Sequence, residues 1–289
     1  MKLSLVTPET IKQVAKTMPS SARIFACLQT MLQKPSPNLN EIVDLVRMDA
    51  GLASSVVRLS NSVVYRRGEP VESVHDAINR VGLREVNKIV GMTVTGQLFS
   101  AALPLYRQQG DMMWQNSLAT ALAMAQLARN AGEEDRQAYT LGLLRPVGRV
   151  ALQRMAMTVG AVIAPMPPDT APAAAVLAWE RTHFGLTNAE TSAFLLAEWG
   201  FASPLCLAVK QHVQPVGAAR PSRWAAMLHV ASWVADQLGK GLAGEKQFWS
   251  QDEAVLREAG LPAKAPDNCM TETREELNRL SSMVRAFGS

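Results

Sequence analysis

The feature that most constrains the fold is a hydrophobic period near that of an α-helix, broken at short intervals by Gly and Pro. Leu52, Val56, Leu59 and Val63 recur at spacings of three and four, as do Leu118, Leu122, Ala125 and Ala128. Alternating, strand-like runs are scarce. Breakers such as Pro35, Gly51, Pro70, Gly82, Gly110 and Gly132 cut the chain into segments of about 10 to 20 residues, the usual length of globular helices. This pattern implies an all-α, multi-helical fold. With 289 residues, 48% of them hydrophobic, the chain has enough apolar surface to fill a large core and to offset its ordering entropy.

Several helix starts are written in the sequence. Asn38 or Asn40 can cap a helix over 41–48, and Glu41 suits its first turn. Ser73 followed by Asp76 and Thr187 followed by Glu190 have capping-box spacing, Asp being a weaker fit than Glu. A long helix is predicted over 84–102, a joint over 104–111, and longer helices from Met112 onward. The chain therefore divides into a helical part over 1–105 and a second over 106–289. Within the latter, 165–172 reads as a stiff proline-rich loop and 239–244 as a flexible one.

Charge excludes little by itself. Twenty-nine Lys and Arg against 25 Asp and Glu give +4, a mild excess for this length. A nucleic-acid binder concentrates such charge on one face. The nearest approach to a cluster is Arg66-Arg67 with Arg80, Arg84 and Lys88 downstream. That group reads as a solvated helical surface or as a patch for phosphate or an acidic partner. Three scattered cysteines, Cys27, Cys206 and Cys269, form neither a disulfide framework nor a zinc knuckle and suit a reducing compartment. No apolar run is long enough to span a membrane, and the first residues do not form a signal peptide. A cytoplasmic location is expected, with neither membrane nor nucleic acid as partner.

Residues 48–62, Met-Asp-Ala-Gly-Leu-Ala-Ser-Ser-Val-Val-Arg-Leu-Ser-Asn-Ser, carry the strongest motif. Asp49 stands where it can cap a helix whose apolar face is Leu52, Val56 and Leu59, and Asn61-Ser62 can close that helix on local backbone. A capped core helix is one reading of this segment. Its order also resembles the HDOD signature, in which an Asp-Pro-x-Leu turn opens a helix ending in Asn-Ser. Leu28 to Leu32, Val71 to Asn79 and Val81-Gly82-Leu83 fall in matching order, and the resemblance covers roughly residues 15–240. Ala50-Gly51 replaces the family's proline, which implies a looser turn. The resemblance implies an N-terminal helical bundle packed on a degenerate HD-domain-like subdomain, with a C-terminal helical extension.

HD phosphohydrolases bind a divalent metal through a His on one helix, a His-Asp pair on another and a late Asp. The metal lowers the pKa of a bound water so that it attacks a phosphoester. At the matching positions this chain has Asn116, then Arg145-Pro146 in place of His-Asp, then Asn188, His212 and Asp236. Arginine has no lone pair to donate, and His212 with Asp236 are too few to form a site. The resemblance thus implies a relict pocket, no catalytic residue, no metal and no cofactor. Arg145 is expected to pair with Asp236, because a carboxylate left in a collapsed pocket is costly unless paired; a solvent-facing Arg145 is the alternative. His212 is expected to be partly exposed, His75 and His183 to sit at helix surfaces or caps, and His229 at a core edge. The six tryptophans suit packing between helices. No Ser-His-Asp arrangement, P-loop or GxGxxG turn is present.

Three functions follow. One is a non-catalytic bacterial signal-transduction protein acting through contacts with signalling partners. Its partner surface would lie around Asp49, Asn61, Ser62, Arg66 and Arg67, or in the groove between the two parts. The second is a nucleotide or cyclic-dinucleotide sensor that holds phosphate with Arg145, Arg149 and His212. The third is a metal-dependent phosphohydrolase, against which the lost ligands argue.

Overall fold

Helices begin where side chains can accept the free N–H groups of a first turn. In the computed structural model, which describes residues 7–65, 68–217 and 222–285, Asn38 Oδ1 accepts from the amides of Asn40 and Glu41 and starts α3. Ser73 accepts from Asp76 N and starts α5. Asp76 answers with its carboxylate on the Ser73 hydroxyl, one methylene too short to complete the box. Glu190 has that methylene: it accepts from Thr187 N at 2.9 Å while Thr187 accepts from Glu190 N.

The elements in order are α1 (Pro8–Thr17), α2 (Ser21–Leu32), α3 (Leu39–Arg47), α4 (Ala50–Ser60), α5 (Val74–Val81), α6 (Leu83–Leu98), α7 (Gly110–Asn130), α8 (Asp135–Leu144), α9 (Val147–Thr158), α10 (Ala173–Phe184), α11 (Asn188–Glu198), α12 (Ser203–Gln211), α13 (Arg223–Ala235), α14 (Glu253–Ala259) and α15 (Ala265–Arg285). A 3-10 turn, Pro104–Tyr106, fills the expected joint, and a π turn, Asp236–Lys240, prolongs α13. No strand occurs among the described residues, only one isolated bridge between Leu103 and Gln108. The fold is all-α.

The central element is α7. It packs against α8, α13 and α15 and buries almost every residue from Asn116 to Ala128. Its many alanines allow neighbouring backbones to come close. A Cβ at Gly142 of α8 would lie 2.5 Å from the Ala121 Cα. Between α9 and α11 the approach is closer: a Cβ on Gly148 would lie 2.0 Å from the Asn188 carbonyl oxygen. One apolar cluster runs from Ile11 to Leu280 and so crosses residue 105. Helix α1 packs on α9 and α11, and Phe25 of α2 meets Phe201 edge to face at 6.3 Å.

Four local expectations need correction. Helix α4 stops at Ser60, so Val63 leaves the apolar face and is 98% exposed. The turn before α4 is not loose, because Asp49 Oδ1 accepts from Leu52 N at 2.9 Å and the helix starts at Ala50. The long helix ends at Leu98, four residues early. The 239–244 stretch is tied down rather than free. Its Lys240 and Ala243 carbonyls accept from Asn116 and Arg149, and the amides of Ala243 and Gly244 donate to Gln108 and Asp169.

Two glycines with opposite surroundings test the packing. Gly148→Ala is expected to destabilise the protein by about 1–3 kcal/mol or more, because backbone must move. Gly96→Ala, exposed in α6 where an added Cβ would lie 3.8 Å from Trp114 Nε1, is expected to stabilise by about 0.5–1 kcal/mol. Urea unfolding of both variants checks the sign.

Candidate functional site: a buried arginine pair around one carboxylate

Pro146 has no amide hydrogen, so α8 closes at Leu144 and α9 restarts at Val147. Arg145 and Arg149 straddle this break four residues apart and reach the same side of the helical path. Both are buried, at 1% and 0% exposure. Arg145 is therefore not solvent-facing.

Their shared partner is Glu245. Arg145 Nη1 donates to Glu245 Oε2 at 2.9 Å, and Arg149 Nη2 donates to Oε1 at 2.7 Å. Asn116 on α7 accepts from Arg145 Nη2 at 2.6 Å and donates through Nδ2 to the Lys240 carbonyl, also at 2.6 Å. This orients its amide. Arg149 also donates to the Ala243 carbonyl at 2.9 Å. The guanidinium of Arg145 lies 5.2 Å from the Trp249 ring centroid, and that of Arg149 lies 4.8 Å from the Tyr106 ring centroid. Ser192 fixes the backbone of the junction: its hydroxyl donates to the Arg145 carbonyl and accepts from Gly148 N, both at 2.8 Å. Pro146 is buried and takes no side-chain part.

The partner of Arg145 is thus not Asp236. Burial raises the Asp236 carboxyl above its ordinary value, and the nearby negative charge of Glu245 raises it further. Asn188 belongs to a neighbouring network: its amide and side chain donate to Glu180, which also accepts from Tyr106 Oη at 2.9 Å. Burial raises the Glu180 carboxyl, and the charge of Arg149 opposes that rise.

His212 is 1% exposed, not partly exposed. Its Nδ1 lies 2.6 Å from the Val209 carbonyl and must carry the proton there; Nε2 is buried without a partner. The ring stacks on Trp249 at 5.5 Å. Burial first, and then the charge of Arg145, hold His212 well below its ordinary value of 6.5. His229, also in the core, accepts from Ser250 N through Nε2 and donates through Nδ1 to the His212 carbonyl. Both histidines are therefore neutral. His75 and His183 are partly exposed, as expected for surface positions.

A divalent cation does not fit these residues. Two guanidinium groups and the carboxylate between them fill the space. Among the described residues no group of three or more His, Cys, Asp or Glu could hold a metal ion. Glu245 was not legible as a member of the site, because it directly follows the 239–244 stretch read as a flexible loop and falls in no motif. Its only sequence signal is that a buried arginine pair needs an anion.

The signature residues of the first part are largely engaged inside the chain. Asn61 donates to the Val71 carbonyl at 2.7 Å and accepts from Val71 N and Arg80. Ser62 is buried, and Asp49 is half-buried as the α4 cap. Arg66 and Arg67 lie outside the described residues. Arg84 pairs with Asp135, and Lys88 with Glu85 and Glu276, so these cations already have partners on the chain.

Fold and pocket together define an all-helical domain whose centre is closed by an internal ion network. Residues 18–215 match the HDOD domain family, and the protein belongs to that family. Solved structures share the architecture. An HDOD domain protein from Geobacter sulfurreducens is 21% identical with a TM-score of 0.66, over 94% of this chain and 98% of that one. A candidate signal transduction protein from Marinobacter aquaeolei VT8 is 21% identical with a TM-score of 0.67, over 94% of this chain and 59% of that one. A candidate phosphohydrolase from Shewanella amazonensis SB2B is 20% identical with a TM-score of 0.59, over 93% and 98%. At these identities the likeness concerns the fold. An uncharacterized protein of Treponema pallidum (strain Nichols) is 23% identical over 125 residues, 43% of this chain and 24% of that protein. The match thus spans about a quarter of that relative's length.

Removing one partner of a buried charge pair typically costs about 3–5 kcal/mol. Arg145→Gln is therefore expected to destabilise strongly, and Asp236→Asn to be neutral or stabilising. Equal losses in the two melting curves would restore Asp236 as the counter-ion. A second expectation concerns pH. The folded-state pKa values of His212 and His229 are depressed, so below about 6.5 the unfolded chain binds more protons. The stability these neutral rings contribute is present above about 6.5 and is lost as pH falls toward their folded values. Glu180 and Asp236, both raised, work in the opposite sense. The clean measurement is the difference between wild type and His212→Gln: between pH 7 and pH 5 the variant should lose less stability than the wild type.

Proposed function

We propose that the protein is a non-catalytic regulatory module that acts through contacts with other proteins. The observation that carries this reading is the buried Arg145–Glu245–Arg149 network, at positions that the resemblance aligns with the metal ligands of HD enzymes. A cation there would have to displace two guanidinium groups and then find ligands in a pocket whose His212 offers one lone pair. The HDOD family membership and the signal-transduction name of one fold relative agree with this reading. The phosphohydrolase name of another relative would need a metal site that Arg145-Pro146 replaces.

Contact with a partner needs exposed surface. Met48 and Val63, at the two ends of the α4 segment, are 75% and 98% exposed, which supports a partner surface near the signature even though Asn61 and Ser62 turn inward. No helix among the described residues is long and apolar enough to cross a membrane; a cytoplasmic setting is part of the proposal.

The test is thermal melting of chelator-treated protein with divalent metals, with cyclic-di-GMP and with common nucleotides, paired with metal analysis of the untreated sample and a phosphodiester hydrolysis assay. Any ligand specific for the native state would raise the melting temperature. We expect no bound metal, no metal-dependent shift and no hydrolysis. Stoichiometric metal together with turnover would overturn the reading.

A further inference from the structure

The network reverses the chemistry of the position it occupies. Two buried cations face inward, and the group they hold is an anion supplied by the chain itself. We infer that Arg145 and Arg149 form an oxyanion receptor that is self-occupied by Glu245, and that an external phosphate group can take the place of that carboxylate. This rests on the proposed reading of the pocket as non-catalytic and extends it to the class of ligand.

Three features support the inference. The donors are pre-organised before any ligand arrives. Asn116 holds one guanidinium, the Ala243 carbonyl holds the other, and each lies against an aromatic ring. Planar guanidinium groups held this way suit carboxylate and phosphate oxygens. Next, the carboxylate does not exhaust them. It accepts one bond from each arginine, and the Nε of both Arg145 and Arg149 is buried without a partner. A carboxylate offers two oxygens, whereas phosphate offers more acceptor positions to a site with donors to spare. Lastly, the occupant comes on a different segment of chain from the arginines. Glu245 follows the π turn Asp236–Lys240 and the glycines Gly239, Gly241 and Gly244, and it lies beyond the family match at residue 215. Asn116 sits on α7, the arginines at the α8–α9 junction and in α9, and Tyr106 on the 3-10 turn, while Ala243 and Trp249 share the segment of Glu245.

Self-occupancy has a consequence for affinity. A tethered carboxylate competes as though it were present at roughly millimolar concentration or above. The wild-type protein should therefore be nearly blind to free phosphate, and removal of the carboxylate should reveal the site.

The experiment is isothermal titration of inorganic phosphate into the full chain at constant ionic strength. It compares wild type, Glu245→Ala, Glu245→Gln and the double variant Glu245→Ala/Arg145→Gln. Acetate and sulfate serve as comparison anions. We expect Glu245→Ala to bind one phosphate at least roughly tenfold more tightly than wild type, by the effective-concentration argument, and the double variant to lose that gain. Should Glu245→Ala fail to fold, Glu245→Gln, which keeps the side-chain shape, is expected to show the gain instead. A folded Glu245 variant with no gain, or a wild type that binds phosphate equally well, overturns the inference. Those results would leave the non-catalytic reading intact. Hydrolysis by the wild-type protein would count against that reading without touching the anion site.

Discussion

The centre of this protein depends on a single carboxylate shared by two arginines. Neither guanidinium could be buried at that depth alone, since an unpaired charge in a protein interior costs several kcal/mol. With Glu245 between them, each gains a charge-assisted bond, and Asn116 and the Ala243 carbonyl take up further donors. The network also ties distant segments together. α7 supplies Asn116, the α8–α9 junction supplies the arginines, and the chain after α13 supplies Glu245 and Trp249. Removal of Asn116, either arginine or Glu245 leaves a buried polar group without its partner.

Around this centre the fold keeps polar groups satisfied by local means and lets small residues set the distances. Ser192 fastens the junction by bonding the Arg145 carbonyl and the Gly148 amide. Gly142 lets α8 approach α7, and Gly148 lets α9 approach α11. Next to the pair, Glu180 gathers Asn188 and Tyr106 into a second buried network. The two networks meet at Arg149, whose guanidinium lies against the Tyr106 ring. His212 stays neutral because burial and the neighbouring Arg145 charge both oppose its protonation.

Such an arrangement stabilises and specifies one geometry, but it offers neither lone pairs in number nor open space for a metal-bound water. This is the observation on which the proposed regulatory reading rests. The pocket is built here from groups that attract anions. The same physics that removes a cation site creates a receptor for negative charge, held closed by the chain's own residue.

Much of this was legible in the sequence because it depends on near neighbours. The helical period, the caps at Asn38, Asp49, Ser73 and Thr187, and the order of anchors along the HDOD signature are local relations that a linear reading captures. So is the cationic character of Arg145, since side-chain chemistry does not depend on where the fold puts it. What the sequence left open was which residues meet. Arg145 needed an anion, and Asp236 and Glu245 were both available in the chain. Only the packing of the segment after α13 against α7 and α9 decided for Glu245. The 239–244 stretch reads as flexible because its three glycines carry no local signal of the hydrogen bonds that distant Asn116, Gln108, Arg149 and Asp169 make to it. Chain-local chemistry determined the class of fold; tertiary packing decided the pairing, because a buried charge takes whichever partner the fold brings within reach.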